Sequence, residues 1–140
     1  MKSIFENVKA IFGIAPIAQG ASEILSAAID TLGFHNAMVE VKTGAATGTP
    51  TSYAVAAKVV SSDTAGGTYT DVTDATASIT ADGKHAQIKV TSLGMKTKRF
   101  LKVSLTPSFV GGTTPKALIA ATVLLGGAEN VAVSNSATQA

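Results

Sequence analysis

The chain has 140 residues, enough for one domain and too few for a multidomain enzyme of Rossmann or TIM-barrel size. Hydrophobic residues make up 46% against 14% charged and 5% aromatic, with 13 Gly and 0 Cys, a balance that favours strands and turns over surface helices and excludes disulfides, thiol catalysis and thiolate zinc sites. The net charge of +2 hides a separation, because seven cations and no acid lie between Lys84 and Ala128, whereas the first 83 residues hold four cations against eight acids.

The chain opens with Ile4, Phe5, Val8, Ile11 and Phe12 at helical spacing, a Ser3/Glu6 capping pair, and Gly13 and Pro16 as stops. This pattern predicts a short amphipathic helix over 4–12, within an N-terminal arm over 1–20. So short a helix is not stable alone in water, so its apolar side must dock on something. Glu6, Lys9 and Pro16 interrupt the apolar run, which argues against a secretory signal, and no stretch reaches the roughly 20 apolar residues of a membrane span.

From Ser22 the period changes to two. Leu25, Ala27 and Ile29 alternate with small residues, followed by strands carrying Ala37, Val39 and Val41 and then Tyr53, Val55, Ala57 and Val59. Short strands are expected at Tyr69–Val72 and around Ala77 and Ile79. Asp82-Gly83 then signals a hairpin into His85–Thr91, with Ala86, Ile88 and Val90 on one side. A strand with Leu101, Val103 and Leu105 inward follows, then a loop from Pro107 to Pro115. The last strand, Ala117–Leu125, is apolar on both sides, which predicts burial on both sides, the second against another subunit or the N-terminal arm. About eight strands in an all-β, antiparallel, jelly-roll-like β-sandwich over 21–126, with a tail over 127–140, is the expected architecture.

Chemistry is sparse. His35 and His85 lack a nucleophile elbow or metal-ligand spacing, and Asp63, Asp71, Asp74 and Asp82 lie in or near turns without a calcium-loop pattern. Gly44–Gly48 lacks the Lys-Ser/Thr of a phosphate cradle, and with no Trp and two Tyr a sugar-stacking cleft is poorly supplied. No catalytic residue, metal or cofactor is expected.

The runs Ser26–Phe34, Val39–Gly44, Ser61–Thr64, Gly67–Val72 and Lys98–Val103 resemble the auxiliary capsid proteins of tailed bacteriophages, called decoration or cement proteins. The resemblance spans about residues 22–126. It implies a non-enzymatic β-rich module, often trimeric, that binds the outside of the phage head and bridges capsid subunits, with the major capsid protein as partner. The expected location is the capsid exterior, after folding in the host cytoplasm, without membrane or nucleic-acid binding. A carbohydrate- or receptor-binding module of a tail or spike is the alternative.

Three groups of contact residues follow. Ile4, Phe5, Val8 and Phe12 are expected to dock on a neighbour. Lys89, Lys98 and Lys102, outward by parity, are expected to form one basic docking patch. Ile119, Ala121 and Val123 are expected at a subunit interface. Arg99 has inward parity and is expected to be held by a carboxylate inside the sandwich or at its edge.

Overall fold

The structure, a computed structural model, describes residues 7–127. Nine strands occur among them: β1 (Lys9–Gln19), β2 (Ile24–Leu25), β3 (Ile29–Asp30), β4 (Asn36–Thr47), β5 (Ser52–Ser62), β6 (Thr70–Ile79), β7 (His85–Val90), β8 (Phe100–Val110) and β9 (Lys116–Gly126). One sheet has the order β1-β9-β4-β7 and the other β2-β8-β5-β6, with β3 also pairing β8; every pair is antiparallel. The all-β sandwich expected from period-two patterning is therefore the observed fold.

Alternation decides which side chains meet between the layers. Val39, Val41, Ile88, Ile119, Val123 and Leu125 from the first sheet pack into one cluster with Val55, Val59, Leu101, Val103 and Leu105 from the second. Each is a branched aliphatic group that fits a pleated surface, and burying each contributes roughly 1.5–3 kcal/mol before entropy is counted.

The predicted N-terminal helix is replaced, over its last four residues, by β1. Residues 4–6 of that helix, and the tail over 128–140, lie outside the described residues. β1 runs along β9 from Lys9↔Leu125 to Gln19↔Ala117, with irregularities between Phe12 and Ile14 and between Ile14 and Ile17. The first explains the misleading spacing. An extra residue at Gly13 shifts the parity, so Ile11 and Ile14 share the core side although they are three apart, as on a helix. Gly13 also lets the backbones close in, since a Cβ there would stand 3.0 Å from Ala121 O. A ladder along β9 satisfies the backbone of these residues, which a helix of two turns does poorly.

Other expectations shift in the same way. Asp82-Gly83 does not close a hairpin: β6 pairs β5 in one sheet and β7 pairs β4 in the other, so residues 80–84 carry the chain from layer to layer. Thr43 Oγ1 donates to Ala81 O at 2.9 Å, and Tyr53 OH donates to Asp82 Oδ1 at 2.6 Å, which fastens that crossing. Burial and the Asp82 carboxylate both push the Tyr53 phenol above its ordinary pKa, so it stays a donor. The two short strands expected near 69–80 are one strand, β6, irregular around Asp74, whose φ is 60°. Pro107, expected to open a loop, lies inside β8; β2 pairs only Ser104 and Leu105, so no β2 donor or acceptor faces the proline.

Candidate functional site

The final strand is apolar on both sides for two different reasons. Ile119, Ala121 and Val123 are 1%, 2% and 1% exposed, all within the chain's own core. The expected subunit interface at these three residues is thus corrected: β9 is an interior strand between β1 and β4, and its odd-numbered side chains fill the sandwich. Its even-numbered side chains point outward, where Leu118 is 44% exposed.

The basic patch does not form as one surface. Lys89 lies on β7 with Ile88 and Val90 buried beside it, so it points out from the first sheet. Lys102 lies on β8 with Leu101 and Val103 buried beside it, so it points out from the second sheet, its Nζ 4.5 Å from the Tyr69 ring centroid. Equal outward parity on opposite layers sends the two lysines to opposite sides of the molecule. Lys98 lies in the loop before β8, 3.6 Å from Asp63.

Arg99 does find a carboxylate, but at the surface rather than inside. Its Nε and Nη2 donate to Asp30 at 2.9 and 2.8 Å, and its guanidinium lies 5.0 Å from the centroid of Phe100. The arginine holds the Asp30 carboxyl below its ordinary pKa. A depressed folded pKa gives stability that is present above the unfolded value, about 3.9, and is lost as pH falls through the folded value. Asp30→Asn is therefore expected to lower Tm at neutral pH and to flatten its fall below about pH 4. A Tm series against pH for both proteins checks this; an unchanged Tm at neutral pH would show that the pair adds nothing.

Phe12 is 68% exposed on the outer side of β1, and Val8 is half-buried; Ile4 and Phe5 lie outside the described residues. The register aligns Ala10 with Leu124, Leu124 with Met38, and Met38 with Lys89. These four form one row across all four strands, on the side away from the core. Beside it lies a shallow hollow of about 390 Å³ bounded by Val8, Met38, Lys89 and Leu124. The next row holds Phe12, Thr122, Glu40 and Gln87. The outer side of this sheet is thus apolar toward β1 and β9 and polar toward β7.

The acidic turn residues do not gather. Asp63 pairs with Lys98, Asp71 with Lys58 at 3.0 Å, and Asp82 with Tyr53; among the described residues no group of three or more His, Asp or Glu is placed to hold a metal. His85 Nδ1 lies 3.0 Å from Glu40 Oε1, and Gln87 donates to Glu40 Oε2 at 2.9 Å.

Neither a known family profile nor a curated protein matches the sequence. Among solved structures, the PBSX exported protein XepA is similar over 94% of this chain, with TM-score 0.61 and 13% identity. The likeness is one of fold. The chain spans 42% of the XepA chain. The SPBc2 prophage-derived protein YomS (TM-score 0.45, 12% identity, 86% of this chain and 94% of that one) and the subunit of Bacillus endospore appendages (0.43, 14%, 87% and 89%) are more distant.

Proposed function

We propose that this protein is a non-enzymatic structural component of a tailed-phage virion that binds the outside of the head and stabilises it by bridging capsid subunits. The observation that carries this reading is the outer side of the β1-β9-β4-β7 sheet, which leaves Phe12 and Leu118 exposed although the sandwich already has a complete core. Large apolar groups left exposed on the outer side of a sheet whose core is already filled suit a binding surface. The sequence runs that resemble decoration proteins support it further; they cover β3, part of β4, the end of β5, the start of β6 and the start of β8. Association of copies, with a trimer expected, belongs to the same proposal. Ile17 and Leu25, exposed at the seam between β1 and β2, are the groups that would meet there.

Purified protein is expected to pellet with phage heads assembled without it and to raise their resistance to heat. Failure to pellet would overturn the proposal. Light scattering of the free protein reads the association of copies, and a monomer at all concentrations, together with single copies on the head, would remove the trimer.

A further inference from the structure

We propose that the row Ala10, Leu124, Met38 and Lys89, with its hollow, is a docking groove for an acidic protein segment that inserts an apolar side chain beside a carboxylate. Only the assignment of that segment to the capsid rests on the virion reading.

Shape and charge point the same way. The hollow is bounded by the aliphatic groups of Val8, Met38 and Leu124 and by one cation, Lys89. No described carboxylate lies within 4.0 Å of Lys42, Lys89 or Lys96. Lys42 stands two residues along from Glu40 on the same outward side of β4, facing His85. Lys96 lines a second hollow with Lys89, which Asp74 also borders. On the sheet surface itself Glu40 is the carboxylate among the described residues, and His85 and Gln87 already occupy its two oxygens. Among the described residues the groove therefore presents positive charge without an ion-pair partner next to apolar surface.

The occupant follows from that combination. A second copy meeting this face symmetrically would bring Lys89 and Lys42 against their own kind, and like charges at an interface oppose association. Among the described carboxylates, Asp30, Asp63 and Asp71 are tied to Arg99, Lys98 and Lys58, Glu23 and Asp82 accept from Ser104 and Tyr53, and Asp74 borders the neighbouring hollow beside Lys89 and Lys96 of its own chain. Aliphatic walls without rings give no stacking platform for nucleic-acid bases. An acidic polypeptide with an apolar side chain answers both halves of the groove. Lys89 also lies on the edge strand β7, where lysine discourages edge-to-edge pairing, and the experiment separates that role from docking.

The full-length protein, labelled with nitrogen-15, is titrated with the peptide acetyl-Glu-Glu-Leu-Phe-Glu-Glu-amide, and the same protein is pelleted with phage heads assembled without it. Amide shifts are expected to cluster at Met38, Lys89 and Leu124 and to weaken as salt rises. Lys89→Glu is expected to weaken both peptide and head binding about tenfold, while Lys102→Glu, on the opposite sheet, leaves both unchanged. Shifts that are absent or fall elsewhere would overturn the inference. So would unchanged peptide binding by folded Lys89→Glu, which would leave the lysine as an edge guard. A DNA duplex or phosphatidylserine-containing vesicle that displaces the peptide from the same amides at lower concentration would also overturn it. If the peptide maps to the groove but the wild-type protein does not pellet with heads, the docking inference stands and the virion reading falls.

Discussion

Ala121→Glu is expected to unfold the protein rather than to dissociate an assembly. Ala121 is 2% exposed, opposite Ile14 on β1 and Val41 on β4. A glutamate there would bury a carboxylate among aliphatic groups and force a longer side chain into a filled layer. An unpaired buried charge costs about 3–5 kcal/mol and overpacking adds about 1–3 kcal/mol. A loss above about 4 kcal/mol is expected, against a total stability of about 5–15 kcal/mol for a domain. Ala120→Glu, one residue earlier, is the control: it points outward and lies opposite Lys42. Its effect is expected within about 0.5 kcal/mol. Urea unfolding followed by circular dichroism compares the two, and a cooperative, wild-type-like transition for Ala121→Glu would show that the inward side of β9 is not core.

The second large effect is expected at Gly48, between β4 and β5. Its φ is 79°, a left-handed conformation that an L side chain strains. A Cβ there would also stand 2.7 Å from Pro115 Cα, in the loop between β8 and β9. That loop leans on the same spot from its own side: Thr113 N donates to Gly48 O at 2.9 Å, and a Cβ on Gly112 would meet Gly48 O at 2.6 Å. Two backbones thus pass where neither has room for a side chain. Gly48→Ala is expected to destabilise by about 2–4 kcal/mol, combining strain with displacement of the Pro115 loop. Gly33→Ala isolates the strain, because Gly33 has φ 88° and nothing within 4 Å of a Cβ. Gly66→Ala isolates neither, having open space and no positive φ, and is expected to be neutral or slightly stabilising. Thermal unfolding of the three variants checks the order; equal Tm values would show that the two loops do not interlock.

The alternation of Val39 with Glu40, Ile88 with Lys89, and Leu101 with Lys102 determined the strands, the inward sets and the outward lysines. Side-chain direction along a strand is a local property with a period of two, so one chain segment is enough to reveal it. What the tertiary structure alone decided is which layer each strand joins. Asp82-Gly83 reads locally as a hairpin turn, yet the five residues from 80 to 84 cross to the first sheet and residues 91–99 cross back to the second, so Lys89 on β7 and Lys102 on β8 face opposite sides. Pairing between strands distant in sequence is set by long-range packing, which no local pattern encodes. The same limit governs β1 and β9. The bulge at Gly13 gives a strand the spacing of a helix, and two apolar sides on β9 look alike in sequence although one fills the core and the other faces out. The groove of Ala10, Leu124, Met38 and Lys89 draws one residue from each of four strands, so it exists only once the register between them is set.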